Sequence, residues 1–192
     1  MENKLHPISA LIRRRRSIFP RSYNDLPISD EVLLEILENA NWAPTHKMTE
    51  PWRFKVFQGA ALDRLGIYLS DYYRSHTSPP AFSERKYKKT RNNPTRAAAV
   101  VAIIMRRDPE ERVPEWEELA SVAAAVQNMW LTCTAHGIGA YWSTPAAILQ
   151  GEAFLELAPG ERCLGLFYMG NYDGEEVPGK RSPIEKKIEW LS

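Results

Sequence analysis

Residues 117–144 read EELASVAAAVQNMWLTCTAHGIGAYWST, and the division of this stretch decides the fold. Leu119, Val122, Ala123, Val126, Met129, Trp130 and Cys133 keep the period of an apolar helix face, which predicts a long helix over Glu117–His136. Gly137 is placed to end it, because a glycine just past a helix adopts the left-handed conformation without steric penalty. The run Ala140–Trp142 is then expected as a strand, and Thr144 as the cap of a further helix with Pro145 at its first position.

Outward from this stretch, helices and strands interleave. Ile8, Leu11 and Ile12 predict a first helix starting near Pro7. Ser29 is a helix N-cap, with Asp30 and Glu31 in the first turn and an apolar stripe of Val32, Leu33, Ile36, Leu37 and Ala40; Pro44 should end this helix. Arg53–Phe57 alternates as a strand does, Ala60–Tyr73 reads as helix, and Ser75–Ser83 as loop. Glu84–Arg91 is a basic, exposed helix, Ala97–Met105 a buried strand, Arg106–Pro114 a charged loop and Cys163–Met169 a further strand. Two helices come first and strand-helix-strand does not repeat from the start. The expectation is therefore an α+β sandwich, with a mostly antiparallel central sheet flanked by helices and a long central helix, rather than a doubly wound sheet. A single domain over residues 1–192 is expected, with an extended C-terminal arm over about 171–192 that ends in a short helix.

The chain has 192 residues, 44% hydrophobic and 26% charged, which excludes a disordered chain, a collagen and a disulfide scaffold. Its 25 Lys and Arg against 24 Asp and Glu leave a formal charge of +1, which argues against a surface built wholly for nucleic acid or anionic membrane. No nucleic-acid partner and no membrane span are expected; the longest apolar run, Ala97–Met105, is far too short to cross a bilayer. The N-terminus has no apolar signal core, so a soluble, cytoplasmic protein is expected. Cys133 and Cys163 form no Cys-x-x-Cys and read as buried free thiols, and the 4 histidines are scattered without metal-ligand spacing. No glycine precedes Gly59, so neither an N-terminal dinucleotide fingerprint nor a P-loop is possible. Any phosphate must be held by side chains.

Three segments could carry chemistry. Arg13–Ser17 offers planar guanidinium forks beside a hydroxyl, a phosphate clamp in one reading and a solvated cationic face in the other. Ala43–Trp52 is a proline-stiffened loop with His46, Lys47, Thr49 and Glu50, a ligand-binding loop or an ordinary connection with Trp52 in the core. Gly137–Thr144 pairs close backbone approach with the flat rings of Tyr141 and Trp142 and the hydroxyls of Ser143 and Thr144.

Taken together and in order, these segments resemble the nitroreductase family of FMN-dependent oxidoreductases, in particular its small NAD(P)H nitroreductases. The resemblance rests on Arg15-Arg16-Ser17, Ala43-Pro44, Pro51-Trp52, the span Asn128–Trp142, the strand Leu164–Gly170 and the tail motif Lys180-Arg181. It implies that Arg15 and Arg16 grip the FMN phosphate with Ser17 close by, and that Lys180 and Arg181 return to the same region. It further implies that Trp142, Ser143 and Thr144 line the isoalloxazine and that His46 contacts the flavin from the same or a partner subunit. The end of the central helix, Thr132–Gly137, is its candidate for the nicotinamide nucleotide. The implied assembly is a homodimer with flavin at the interface. The implied reaction takes hydride from NADH or NADPH and reduces a nitroaromatic- or quinone-like acceptor by a ping-pong mechanism; no side chain is assigned as acid or base. Lys47 is the candidate cation beside the flavin pyrimidine. The sequence departs from the family pattern at Lys47–Glu50, where Asn and Gln are common, and at Phe19, where a basic residue is common. The alternatives are a flavin enzyme of the same fold that dehalogenates or dehydrogenates, a flavin-binding regulator without turnover, and a polyanion-binding protein using Arg13–Arg16 and Lys86–Arg91.

Overall fold

The structure, a computed structural model, describes residues 5–174 and 178–191. Four strands form one antiparallel sheet in the order β1 (Trp52–Phe57), β2 (Ala99–Arg106), β4 (Glu161–Asn171), β3 (Ile138–Ser143). The helices are α1 (Pro7–Arg14), α2 (Asp30–Asn41), α3 (Ala60–Ser75), α4 (Glu84–Asn92), α5 (Glu115–Ala135), α6 (Ala146–Leu149) and α7 (Glu152–Leu155). No strand pair needs a crossover of the doubly wound kind, and the expected α+β sandwich is what forms.

The run of β2 is apolar throughout because both of its faces are covered. Val101, Ile103 and Met105 join Leu33, Ile36, Ala40, Val122, Val126, Met129 and Phe167 in the core beneath α2 and α5. Val100, Ala102 and Ile104 join Leu62, Leu65, Leu69, Ile148 and Leu166 beneath α3 and α6. Burying each Val, Leu, Ile, Met or Phe among these contributes about 1.5–3 kcal/mol.

Helix α2 begins as expected, Ser29 Oγ accepting from Val32 N at 3.4 Å, and it ends before Pro44. Helix α5 begins at Glu115, and Gly137 follows it at φ +71°. Two details of its face differ from the expectation. Ala125 is buried where Ala123 was expected, and Leu119 is 39% exposed. The stripe of a long helix drifts, and only the side under the sheet and α2 is covered. Thr144 does not cap α6: Pro145 is extended (ψ 139°), its carbonyl accepts from Ile148 N and Leu149 N, and so Pro145 itself holds the cap position.

The start of α5 is anchored by buried charge. Glu118, 1% exposed, accepts from the Arg107 guanidinium and from Asp108 N at 2.9 Å. Asp108 in turn takes both sides of the Arg112 fork at 2.8 and 3.1 Å, and these bonds to Arg112 hold its carboxyl down at about 2.

Cys133 and Cys163 are free and buried; burial pushes the Cys163 thiol up to about 11 and Cys133 higher still. Among the described residues no helix is long and apolar enough to cross a membrane, and no cluster of metal-ligating side chains occurs. The expected C-terminal arm leaves β4 at Asn171 and carries a 3-10 turn at Ile184–Lys187; its residues 175–177 and 192 lie outside the described part, as do residues 1–4.

Candidate functional site

The chain leaving α1 runs along the free edge of β3, where Ile18 N donates to Ala140 O at 2.9 Å. Tyr23 locks this crossing. Its ring packs so closely on the sheet that a Cβ at Gly170 would lie 2.5 Å from it and one at Gly139 2.9 Å. Its hydroxyl lies 2.8 Å from Ile18 O and 3.2 Å from Tyr168 O, and burial raises this phenol far above its ordinary value, so it stays a donor.

That crossing fixes the arginine motif. The Arg15 guanidinium lies 4.6 Å from the centre of the Trp130 ring of α5, and Trp130 Nε1 donates to Arg16 O at 3.0 Å. Arg16 Nη1 donates to Arg13 O and Arg15 O, both at 2.7 Å, and Arg14 reaches Thr134 O at 2.9 Å. The C-terminal arm comes back to this point. Gly179 lies flat against Arg16, where a Cβ would sit 2.0 Å from Nη2. Burial, and after it the charges of Arg181 and Arg16, lower the affinity of Arg15 for its proton. Arg15, Arg16 and Arg181 thus converge from the two ends of the chain, with Lys180 exposed beside Arg181. Ser17 is exposed, and its hydroxyl has no partner among the described residues.

Trp142, Ser143 and Thr144 lie two to four residues further along the same edge. Trp142 Nε1 donates to Leu164 O at 3.1 Å. The register of β4 against β2 slips by one residue between Ile103↔Gly165 and Ile104↔Cys163, a β-bulge. Gly165 there adopts φ +132°, and a Cβ on it would lie 2.5 Å from Ser143 O and 2.6 Å from Trp142 Nε1. The bulge lets Trp142–Thr144 approach β4 as closely as they do.

His46 is not part of this cluster within one chain. Its Nδ1 sits 2.6 Å from Glu117 Oε2, toward the opposite end of α5 from Trp130; the thirteen helical steps from Glu117 to Trp130 span about 20 Å. Its loop is strained, with Lys47, Met48 and Glu50 at φ +52°, +53° and +41°. Lys47 Nζ is tied to Arg112 O at 3.0 Å, and Trp52 is core, its indole donating to Asn41 Oδ1.

A cavity of about 330 Å³ lies between the arginine motif and the end of α5, lined by Arg14, Arg16, Thr134, His136 and Tyr172 among others. Thr132, part of the expected nucleotide region, is buried elsewhere: it bonds Asn39 and Asn128 O and ties α2 to α5. The roles of Trp130, Tyr23, Gly165 and Gly179 were not read from the sequence. Gly165 carried a signal, a glycine inside an apolar strand.

An edge strand carrying aromatic and hydroxyl side chains thus lies near a cluster of arginines on a sheet sandwiched by helices, donors and flat surfaces of the kinds that suit a phosphate-bearing planar ligand. The sequence profile of the Nitroreductase family matches residues 12–171, and the chain belongs to that family. It is 28% identical over 180 residues to "Putative NAD(P)H nitroreductase YfhC" of Bacillus subtilis, covering 93% of this chain and 91% of that one. It is 27% identical over 180 residues to a nitrobenzene nitroreductase of Ectopseudomonas oleovorans, covering 76% and 78%. Among solved structures, a nitroreductase-like family protein of Bacillus cereus superposes with a TM-score of 0.80 at 25% identity, over 100% of this chain and 99% of that one. A Desulfovibrio desulfuricans structure described as in complex with FMN superposes at 0.73 with 26% identity, over 98% and 99%.

Proposed function

We propose that this chain is an FMN-dependent oxidoreductase that uses NADH or NADPH and reduces a nitroaromatic- or quinone-like acceptor as a homodimer. The observation that carries the reading is the meeting of Arg15, Arg16 and Arg181 at one end of the β3 edge whose other end carries Trp142–Thr144. Ala140, where the arginine segment pairs, and Ser143 stand about 10 Å apart along β3, room for a phosphate at one end and a ring system at the other. When bound, FMN supplies the redox chemistry, taking hydride from NAD(P)H and passing it to the acceptor in a second half-reaction.

The residues of the chain bind and orient. Arg15, Arg16, Lys180 and Arg181 give the phosphate charge-assisted bonds, and Ser17 adds a hydroxyl. Trp142 offers a flat flank, Ser143 and Thr144 hydrogen-bonding groups. Thr134–Gly137 and the cavity they line are the nucleotide region. Arg14, Arg15 and Arg16 hold backbone or ring partners rather than forming an open cationic face, which favours a built clamp over general polyanion binding.

The dimer follows from His46. One chain cannot bring His46 and Lys47 to its own arginine cluster, so a second copy would supply them, and with Lys47 a positive charge beside the flavin pyrimidine. Apolar side chains that the chain leaves uncovered support this: Trp42 is 77% exposed, Trp190 on the arm 88% and Leu191 90%. The two free buried thiols suit a reducing cytoplasm. Equilibrium titration with FMN tests the clamp. Arg16→Ala should weaken FMN binding by about 1.5–3 kcal/mol, roughly 10–150-fold; an unchanged Kd would remove the phosphate assignment.

A further inference from the structure

The loop between α2 and β1 contains no glycine, yet three of its residues adopt left-handed backbone: Lys47 (φ +52°), Met48 (φ +53°) and Glu50 (φ +41°). A Cβ makes that conformation costly, and a fold keeps it only where surrounding contacts hold the chain there. Inside the loop, Thr45 Oγ1 accepts from Glu50 N at 3.1 Å and lies 3.2 Å from Thr49 Oγ1. Thr49 N donates to His46 O at 3.3 Å. Two bonds tie this turn to the segment that opens α5. His46 Nδ1 lies 2.6 Å from Glu117 Oε2, and Lys47 Nζ donates to Arg112 O at 3.0 Å.

Both anchors are themselves held fast. Asp108 accepts from Arg112 N at 3.1 Å as well as from its guanidinium, which fixes the Arg112 carbonyl. Asp108 is held in turn through its N–H by Glu118, the neighbour of Glu117. The two successive carboxylates of α5 therefore divide the work: buried Glu118 locks the segment before the helix, and Glu117 reaches out to the loop. An ionised carboxylate only accepts, so the hydrogen of the 2.6 Å bond is on His46 Nδ1. His46 Nε2 is then the nitrogen left open, with no partner among the described residues. It stands on the uncovered side of the loop, where the His46 side chain is 58% exposed and Met48 72%.

We infer that Glu117 is a positioning residue: it holds the strained loop and leaves His46 Nε2 as the nitrogen offered to the flavin of a second copy. The Arg112 carbonyl does the same for Lys47. Cutting a tie lets the strained backbone relax, and each binding event must then restore it, which weakens affinity. Glu115, two residues earlier on the same helix, pairs with Arg162 at 2.8 Å and has no part in the loop. That the held loop serves a flavin rests on the function proposed above; that Glu117 and Arg112 hold it does not.

The test compares Glu117→Ala, Glu117→Gln and Glu115→Ala with the unaltered full chain, as purified and after equilibration with FMN. Nitrogen NMR at about pH 8, where an unpaired imidazole is neutral, shows whether His46 Nδ1 carries a hydrogen. Hydrogen exchange is read at Thr49 N and Glu50 N, and FMN titration gives Kd. In Glu117→Ala the Nδ1 hydrogen should be lost, the two amides should exchange about tenfold faster or more, and FMN should bind about fivefold more weakly or worse. Glu117→Gln keeps an acceptor oxygen, so it should retain the Nδ1 hydrogen and stay within about twofold of the unaltered chain in exchange and Kd. Glu115→Ala should change none of these. Lys47→Met, which releases the Arg112 carbonyl, should speed the same two amides. Native exchange and a retained Nδ1 hydrogen in Glu117→Ala overturn the inference, and so does a loosened loop with an unchanged Kd. An equal loss of FMN affinity in Glu115→Ala would reduce the effect to charge at the helix start and also overturn it. An unaltered chain that takes up no FMN, while Glu117→Ala still loosens the loop, would uphold the lock and overturn the flavin reading alone.

Discussion

Replacing Gly165 by alanine should damage both the stability of the fold and the binding of FMN. At φ +132° the residue occupies a region open essentially to glycine alone, and forcing alanine there costs about 1–3 kcal/mol. The new Cβ would also lie 2.5 Å from Ser143 O and 2.6 Å from Trp142 Nε1. A backbone oxygen in a paired strand cannot turn aside, so relief must come from moving β3, a strain of about 1–3 kcal/mol more. A combined loss of about 4 kcal/mol lowers the melting temperature of a domain of this size by about 8–16 °C. Gly160 is the control. It has φ +79°, but the atoms nearest a Cβ there are 3.9 Å away, so Gly160→Ala carries conformational strain alone, about 1–2 kcal/mol and about 2–8 °C. Differential scanning calorimetry of the two variants, with FMN titration of each at 25 °C, separates the effects. Gly165→Ala should melt well below Gly160→Ala and bind FMN more weakly, because the movement that relieves the clash displaces Trp142–Thr144. Equal melting temperatures, or unchanged FMN affinity in Gly165→Ala, would refute the argument that the bulge shapes the flavin-binding edge.

Two further outcomes follow from buried groups. The Asp108 carboxyl is held at about 2 in the folded chain, below its ordinary value, so the stability it contributes is complete above about pH 4 and is lost as pH falls through about 2. Urea midpoints between pH 4 and 2 should therefore fall more steeply for the native chain than for Asp108→Asn, and parallel slopes would contradict the assignment. Cys133 and Cys163, both buried with raised thiol values, should stay silent to Ellman's reagent at pH 8 in the native protein and react together in urea; prompt reaction of either in buffer would show that its layer of the core opens.

The elements with strong local signals were legible in the sequence. Ser29 and the spacing of Leu33, Ile36 and Ala40 mark α2, and the unbroken apolar run of β2 announces a strand covered on both faces. Gly137 stops α5 where a left-handed residue is needed. What the sequence hid depends on elements distant in the chain. That Arg16 meets Gly179 is a product of the arm's return across the domain, and no local pattern encodes it. Trp130 read as one more residue of a core stripe, yet its ring supports Arg15 and its indole holds Arg16 O. Local chemistry placed a cap at Thr144, but the extended conformation of Pro145 moved the start of α6 by one residue. In the basic run Lys86–Arg91, only the fold shows which cations are paired, Lys88 with Glu84 and Arg91 with Asp63.

The account stands on the claim that the arginine cluster and the β3 edge hold FMN in a form that NAD(P)H can reduce. An absorption spectrum of the protein, equilibrated with FMN, passed through gel filtration and then treated anaerobically with NADPH or NADH, tests that claim most directly. A flavin band that travels with the protein, bleaches on addition of the reduced nucleotide and returns with a nitroaromatic or quinone acceptor is the predicted result. A protein that leaves the column colourless, or a bound flavin band that persists with both nucleotides, would contradict it.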